Sequence, residues 1–226
     1  KSLKSFNINK NIIIADSGVM LGKIVKEAIK HNLTGLESLV GVPGTLGGAL
    51  MMNAGAWGAE ISNYLVSVDV ISSKGKIKTL YPNDIEFSYR NSSFDPNEFI
   101  LSATFKLNKA SKEHIKNKKL IASKGRIKSQ PLKFRSAGSV FKNPHIKLAA
   151  GLLIDKAGLK GTRHGDAEIS KHHANFFVNH GKAKATDIAS LIRLSRKIIY
   201  EKFGIMLELE IKTIGFNKSE LYPHVA

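Results

Sequence analysis

The chain has 226 residues, of which 42% are hydrophobic and 23% are charged, values typical of one large or two modest globular domains. It contains no cysteine, which excludes disulfides, thiolate nucleophiles and cysteine-ligated metals and is compatible with a reducing cytoplasm. No apolar run approaches the ~18 residues of a membrane helix. We therefore expect a soluble, cytoplasmic protein with no membrane partner.

The formal net charge is +17, an excess typical of proteins that bind nucleic acids, anionic membranes or phosphorylated ligands. However, the sequence holds 29 lysines and only 6 arginines. Base recognition and bidentate phosphate binding favour the planar guanidinium group of arginine. Nucleic-acid binding is therefore an alternative hypothesis, and solvated lysine surfaces are the simpler interpretation of this composition.

The first half of the chain alternates strand and helix patterns. A β-branched run at 11–15 predicts a strand, and Ser17 is placed to cap the following helix. Further strands are predicted at 64–72 and 76–80, joined by a hairpin turn, and at 99–107. Helical spacing predicts a buried stripe of Leu21, Ile24, Val25, Ala28 and Ile29.

Strict alternation at 99–107 predicts that the odd-numbered side chains, from Phe99 to Leu107, are buried together. The lysine-rich run 109–128 predicts an exposed helix that connects two domains. Helices are predicted at 149–157 and 187–203, the second capped by Thr186 or Asp187 and ended by Gly204, before a last strand at 205–214. These elements predict a mixed α+β fold with domains 1–108 and 109–226.

The segment 41–58 contains six glycines among small residues, too irregular for a helix or strand and too apolar for a flexible linker. Backbone N–H groups can approach a phosphate where no Cβ intrudes. Neither the P-loop nor the dinucleotide-binding glycine motif occurs in the chain. The segment is therefore predicted to be a packed loop shaped around a ligand, with a simple glycine turn as the alternative.

Three polar residues could carry chemistry. Ser139 lies in the small-residue turn 136–144 and could deliver a proton, although turn formation alone would explain it. Arg90 is one of few arginines and offers a fixed fork of donors, with a surface ion pair as the alternative. Glu210 shares a strand face with Glu208, which could line a cleft or simply face solvent.

A metal site is not expected from the eight histidines. They include His164, His172 and His173, but no H-E-x-x-H motif occurs, and adjacent residues on a strand face opposite sides.

Several motifs, in their residues and in their order along the chain, together resemble one family over nearly the whole chain, to about Gly215. The family is the UDP-N-acetylenolpyruvoylglucosamine reductases, flavoenzymes called MurB. The motifs are Gly35-Leu36-Glu37, Gly41-Val42-Pro43-Gly44, Asn53-Ala54-Gly55-Ala56-Trp57-Gly58, Tyr89-Arg90, Gln130-Pro131, Ala137-Gly138-Ser139-Val140-Phe141-Lys142-Asn143-Pro144, Ala150-Gly151-Leu152-Leu153-Ile154-Asp155, His173-Ala174-Asn175-Phe176 and Leu207-Glu208-Leu209-Glu210.

The resemblance implies a fold and a function. The fold is α+β, with part of an FAD-binding domain of the vanillyl-alcohol-oxidase (PCMH) type followed by an α+β substrate-binding domain whose last strand returns toward the active site. The function is NADPH-dependent reduction of UDP-N-acetylglucosamine enolpyruvate to UDP-N-acetylmuramate for peptidoglycan synthesis, with non-covalent FAD. A monomer is expected.

The resemblance also implies roles for individual residues. Arg90 and Glu210 would stabilise or polarise the enolic carboxylate, and Ser139 would protonate C2. The implied substrate-binding residues are Tyr89, Lys128, Asn143 and His173. Lys128 matches the family pattern only with a one-residue gap, and His173 takes the place of an amide side chain seen in some members. The implied FAD-binding residues are Gly41, Pro43, Gly44, Thr45, Gly47, Gly48, Asn53, Gly55, Ala56 and Gly58.

Two departures from the family pattern stand out. Nothing in 1–15 resembles the family's Gly-rich G-x-G-S-N turn, so we expect an N-terminally incomplete chain that binds FAD weakly. The short connection between Arg90 and Ser139 resembles the compact subtype that lacks an extra substrate loop. Two alternatives remain open: a vanillyl-alcohol-oxidase-type flavoprotein with other chemistry, and a basic nucleic-acid-binding module.

Overall fold

Two separate hydrophobic cores organise the chain, one in each of two units that divide after Gly125. The computed structural model describes residues 3–222. The division by function, 1–108 and 109–226, stays a prediction; the units divide later because most of the helix that follows residue 108 belongs to the first unit. Within the described residues, no helix is both long and apolar enough to cross a membrane.

The first unit combines three helices with one main antiparallel sheet and several short hairpins. The sheet has five strands in the order β1-β2-β10-β6-β7. In chain order the elements are β1 (Phe6–Asn9), β2 (Ile12–Asp16), α1 (Leu21–Lys30), β3 (Leu33–Thr34), α2 (Leu46–Met51), β4 (Gly55–Ala56), β5 (Ala59–Glu60), β6 (Leu65–Ser72), β7 (Ile77–Leu80), β8 (Phe87–Ser88), β9 (Asn91–Ser92), β10 (Glu98–Lys106), β11 (Asn108–Lys109) and α3 (Lys112–Ser129).

Helix α1 buries four residues of the predicted stripe in the core of the first unit, where Leu21, Ile24, Val25 and Ala28 are at most 1% exposed, and Ile29 is half-buried. Its predicted cap is wrong. The N-cap residue is Met20, with no side-chain cap. The backbone of Ser17 is used otherwise: its N–H donates to Leu101 O at 2.8 Å, and its carbonyl accepts from Gly47 N–H at 2.9 Å.

Strand β10 departs from the predicted alternation because of a β-bulge. Ile100 pairs with Val70 and Ser102 pairs with Asp69, so one extra residue is inserted in β10 at this point. The bulge moves the buried face by one position. Ile100 is therefore buried and Phe99 is 68% exposed, the reverse of the prediction for these two residues, while Ala103 and Phe105 are buried as expected.

The glycine-rich segment is more regular than predicted. It contains helix α2 and strand β4, which forms a hairpin with β5 directly after the segment, instead of one irregular loop. Leu46 and Leu50 of α2 are completely buried, which explains why a helix of only six residues persists among glycines.

The predicted lysine-rich helix corresponds to α3, but only Ile115 of its four large apolar residues is buried. Leu120, Ile121 and Ile127 are 44%, 66% and 65% exposed, so this helix does not bury a continuous apolar stripe.

The second unit packs two helices against a four-stranded antiparallel sheet in the order β12-β15-β14-β13. The predicted helices are confirmed. Asp187 accepts from Lys184 N–H at 2.8 Å, so the N-cap of the last helix is Lys184 rather than Thr186 or Asp187, and Gly204 ends it in the left-handed region at φ 66°. The elements are β12 (Arg135–Ser139), α4 (Ala150–Lys156), β13 (Arg163–His164), β14 (Ala167–Ile169), β15 (Phe176–Asn179) and α5 (Ala185–Phe203).

The predicted final strand at 205–214 is wrong as a regular element. One isolated β-bridge joins Phe141 to Leu209, and no other described residue of 205–214 pairs with a strand. Leu207 is completely buried, whereas the Glu208 side chain is 76% exposed. The apolar alternation therefore reflects side-chain burial along an extended segment, not membership of the sheet.

Candidate active site

Three glycines of the segment 41–58, which are Gly41, Gly44 and Gly58, have a positive φ, a conformation that other residues rarely adopt. Gly44 has φ 112° and Gly58 has φ 80°, and a Cβ atom at either position would meet no heavy atom within 4 Å. The backbone at these points is therefore open to a ligand. Gly47 differs, because a Cβ there would lie 3.1 Å from Ser17 Cβ, so its small size is explained by packing.

Asn53, in the same segment, is completely buried and has φ 41°. Its Nδ2 donates to Glu60 Oε2 at 2.6 Å and to the Ser88 carbonyl at 3.2 Å. Within the described residues its Oδ1 has no hydrogen-bond partner. A buried acceptor without a donor costs about 1 to 3 kcal/mol, so this oxygen is suited to a bound group that carries a donor.

Arg90 lies in the two-residue turn between β8 and β9 and has φ 55°, an unfavourable conformation for a residue with a Cβ. Its guanidinium carbon lies 4.9 Å from the centre of the Tyr89 ring. Its Nη1 lies 3.6 Å from the position that a Cβ on Gly55 would occupy. The first unit therefore places the predicted catalytic arginine beside the glycine-rich segment.

Ser139 is the last residue of β12 and lies opposite Phe176 of β15, half-buried. The pairing of β12 is irregular between Ser136 and Ser139, where Gly138 has φ 87°. This irregularity turns the end of the strand so that the serine follows a bend rather than a regular ladder.

Glu210 is brought to the chain next to Ser139 by backbone hydrogen bonds within the second unit. Glu210 N–H donates to Val140 O at 2.8 Å, and Lys142 N–H donates to Glu208 O at 2.9 Å. The residue that follows Ser139 therefore bonds directly to the backbone of Glu210. The backbones of Ser139 and Glu210 therefore belong to one local structure, although their sequence positions are far apart.

Asn175 is the main support of this structure, and the sequence analysis did not single it out. It is 3% exposed. Its Oδ1 accepts from Phe141 N–H at 2.9 Å, and its Nδ2 donates to Phe141 O at 2.8 Å. One amide side chain thus satisfies both backbone groups of a residue between Ser139 and Asn143. The available signal was a polar residue inside the apolar run 174–178.

The predicted substrate-binding residues of the second unit differ in their contacts. Asn143 Oδ1 accepts from Ala150 N–H at 3.1 Å, at the first residue of α4. His173 Nδ1 accepts from Asn175 N–H at 3.2 Å, and burial of the ring lowers the pKa of His173 below its ordinary value of 6.5. Lys128 is exposed on the last turn of α3.

Arg196 is a second support that the sequence analysis missed. It is 2% exposed on α5, and its Nε and Nη1 donate to Leu207 O at 2.9 Å and Leu221 O at 2.7 Å. Its guanidinium lies 4.0 Å from the centre of the Tyr222 ring. Arg196 therefore holds the chain on the approach to Glu210. An arginine within the apolar stripe of a helix was the signal for it.

The second unit also contains a cavity of 610 Å³. It adjoins Lys128 and His173 in sequence, because Ile127 and His172 are among its lining residues. Its other walls combine apolar and polar side chains, including Pro131, Phe134, Ser170, Val178 and His180. Lys128 and His173 themselves are not among its lining residues, and its volume is in the range of small-molecule sites. In the part of the chain that the structure describes, no group of three or more histidine and acidic side chains could hold a metal ion.

Comparisons with known proteins place this geometry in a family. Residues 130–214 match the C-terminal domain of UDP-N-acetylenolpyruvoylglucosamine reductase, and residues 1–81 match an FAD binding domain. The reductase of Clostridium novyi (strain NT) is 44% identical over 218 residues, which are 93% of this chain and 71% of that protein. The chain belongs to the UDP-N-acetylenolpyruvoylglucosamine reductase family.

Two further comparisons agree with this assignment. The reductase of Caldicellulosiruptor bescii is 45% identical over 226 residues, covering 99% of this chain and 72% of that protein. The crystal structure of the reductase MurB from Thermus caldophilus has a TM-score of 0.81 and 38% identity, over 91% of this chain and 73% of that one. The predicted family and the α+β fold class are confirmed, and the MurB interpretation is favoured over the two alternatives.

Replacing Asn175 with alanine should remove two buried hydrogen bonds. Phe141 N–H and C=O would be left without partners, so we expect Asn175→Ala to lower the free energy of unfolding by about 3 kcal/mol. Urea unfolding measures the loss. The matched control is Asn179→Ala, because Asn179 Oδ1 also accepts from two backbone N–H groups, of Gly181 and Ala183, but at a less buried position. An equal loss in the two variants would contradict the role assigned to burial.

The low pKa of His173 should make the protein less stable in acid. The unfolded chain takes up a proton near pH 6.5, whereas the buried ring does so only at lower pH. The stabilising contribution is thus complete above pH 6.5 and is lost as the pH falls from there toward the folded-state pKa. In urea unfolding between about pH 8 and pH 5, His173→Gln should show a shallower acid loss than the parent chain. Parallel pH profiles would refute this.

Proposed function

We propose that this chain reduces the enolpyruvyl group of UDP-N-acetylglucosamine enolpyruvate to give UDP-N-acetylmuramate, a precursor of peptidoglycan. FAD is the bound redox group and NADPH is the hydride donor. The observation that carries the proposal is the shared local structure of Ser139 and Glu210, joined through Val140, in a chain that belongs to the MurB family.

The residues of the first unit fit an FAD molecule. Gly44 and Gly58 leave open backbone surface, and Asn53 Oδ1 is a buried acceptor suited to a donor of the bound group. When bound, FAD supplies the hydride that adds to C3 of the enolpyruvyl group. The segment from Gly41 to Gly58, with Pro43, Thr45, Gly47, Gly48, Gly55 and Ala56, is the proposed holding site.

The catalytic roles follow from the charge that hydride addition creates. Addition at C3 leaves negative charge at C2 and on its carboxylate, and preorganised donors aimed at this developing charge lower the barrier. We assign the guanidinium of Arg90 and the carboxyl of Glu210 to the enolic carboxylate. The hydroxyl of Ser139 then protonates C2, which completes the reduction.

The remaining residues have binding roles in the proposal. Lys128, Asn143 and His173 contact the nucleotide sugar, and Tyr89 contacts the substrate beside Arg90. Since burial keeps the pKa of His173 low, its ring is neutral near pH 7 and takes part as a hydrogen-bonding group rather than as a cation.

The functional division proposed for the chain is an FAD-binding domain at 1–108 and a substrate-binding domain at 109–226. The reaction is placed in the cytoplasm, which supplies NADPH and suits a chain without cysteine. A monomer is proposed, and size-exclusion chromatography with light scattering tests it.

The decisive experiment measures the flavin spectrum of the purified protein and NADPH oxidation with and without UDP-N-acetylglucosamine enolpyruvate. Oxidation that depends on this substrate is expected. Oxidation that ignores the substrate would favour a different flavin oxidoreductase. A protein that stays colourless with added FAD and shifts oligonucleotides instead would overturn the proposal in favour of nucleic-acid binding.

Ser139→Ala should separate the two half-reactions. Loss of the proton donor should slow substrate reduction by about 10² to 10⁴-fold, while reduction of the flavin by NADPH should stay nearly unchanged because it needs no proton at C2. Stopped-flow absorbance measures each half-reaction. The matched control is Ser136→Ala, an exposed serine of the same strand. Equal loss in both half-reactions would refute the assigned role of Ser139.

A further inference from the structure

We propose that Glu60 is a positioning residue for Arg90, acting through the side chain of Asn53. This inference rests on the proposed function, because it presumes that Arg90 acts on the substrate. It assigns a role to a carboxylate that lies outside the residues predicted from sequence.

The first observation is the contact that joins Glu60 to Asn53. The distance from Asn53 Nδ2 to Glu60 Oε2 is 2.6 Å, shorter than is usual for a hydrogen bond from an amide nitrogen. Since Asn53 is completely buried, this bond is shielded from water at the amide end. The carboxylate thus fixes the orientation of the amide and determines where its second hydrogen points.

The second hydrogen of the same amide reaches the catalytic turn. Asn53 Nδ2 also donates to the Ser88 carbonyl at 3.2 Å, and Ser88 directly precedes the turn of Tyr89 and Arg90. Glu60 therefore contacts Asn53, and Asn53 contacts the Ser88 carbonyl, which belongs to the backbone just before Arg90. A further tie comes from Ser92, whose Oγ donates to Met51 O at 2.8 Å on the other side of the turn.

The third observation is the shared space above Gly55. A Cβ on Gly55 would lie 2.9 Å from Glu60 Cγ and 3.6 Å from Arg90 Nη1. These two atoms are therefore no farther apart than the sum of the two distances. The glycine therefore makes room for both side chains at once, so Glu60 and Arg90 are neighbours across Gly55.

The turn needs such support because Arg90 adopts the left-handed conformation at φ 55°. A residue with a Cβ pays about 1 to 2 kcal/mol for this conformation, and the long side chain of arginine has many rotamers to lose. A displacement of about 1 Å in a catalytic group can cost about 100-fold in rate. Fixing the carbonyl of Ser88 limits this displacement.

The test compares Glu60→Leu with Glu60→Gln in the holoenzyme. Leucine cannot accept the bond from Asn53, so substrate reduction should slow by about 10- to 100-fold. With FAD held at saturation, because Asn53 also belongs to the proposed FAD site, flavin reduction by NADPH should slow much less and substrate affinity should change little. Glutamine keeps an acceptor oxygen and should restore the rate to within about threefold of the parent. If Glu60→Leu does not fold, Glu60→Asp withdraws the carboxylate by one methylene and serves the same purpose.

The matched control is Asp69→Leu. Asp69 is also a hydrogen-bonded carboxylate of the first unit, accepting from Thr79 Oγ1 at 2.7 Å and Ser102 Oγ at 2.8 Å, but it lies on the main sheet, in β6. It should lower stability without a selective effect on substrate reduction. Hydrogen exchange supplies a readout besides activity: amides at 88–92 should exchange faster in Glu60→Leu and not in the control.

The outcomes separate this inference from the proposed function. A parent chain that shows no substrate-dependent NADPH oxidation contradicts the proposed function, while the exchange measurement still tests the support of the turn. An active parent in which Arg90→Lys slows substrate reduction but Glu60→Leu behaves like Asp69→Leu overturns the positioning role. Loss in Glu60→Leu together with an unaffected Arg90→Lys overturns it as well, because Arg90 would then not be the group that Glu60 serves.

Discussion

The candidate site of the second unit depends on one buried amide, Asn175, which bonds both backbone groups of Phe141. Phe141 lies in the core and is bridged to Leu209, so its position is set relative to the sheet and to the segment that carries Glu210. Ser139 lies two residues before it and Asn143 two residues after it. The positions of Ser139, Asn143 and Glu210 therefore depend on two hydrogen bonds in which their own side chains take no part.

The site of the first unit depends instead on backbone conformations that are unfavourable in isolation. Asn53, Trp57 and Arg90 are three of the five non-glycine residues with positive φ in the described part of the chain, and all three lie in the motifs that resemble MurB. Each costs about 1 to 2 kcal/mol, so the surrounding structure must compensate. Trp57 shows how: its ring occupies the space that a Cβ on Gly125 would need, which lets it pack directly on α3.

The sequence alone predicted an element correctly where a local pattern decides its structure. The stripe of α1, the hairpin of β6 and β7 and the end of α5 at Gly204 follow from spacing and turn chemistry. It did not predict the structure correctly where pairing with a distant part of the chain decides it. The bulge in β10 arises from pairing with β6, and the strand predicted at 205–214 has apolar alternation but lacks a ladder. Asn175 acts on Phe141, 34 positions away, so its place in an apolar run signals burial but not its partner.

The imbalance between lysine and arginine acquires a physical account from these contacts. Three of the six arginines lie where the geometry of the guanidinium is used: Arg196 binds two carbonyls, Arg193 binds Glu220 O at 2.9 Å, and Arg90 lies over the Tyr89 ring. Apart from Lys128, the exposed lysines of α3 are assigned no such fixed role, and charges on a solvated helix act mainly through their long-range field. A substrate with a diphosphate and a carboxylate, and a dinucleotide donor, are both anions that such a field attracts. The net charge of +17 therefore does not require a nucleic-acid surface, because lysines supply the attraction and a few arginines supply the geometry.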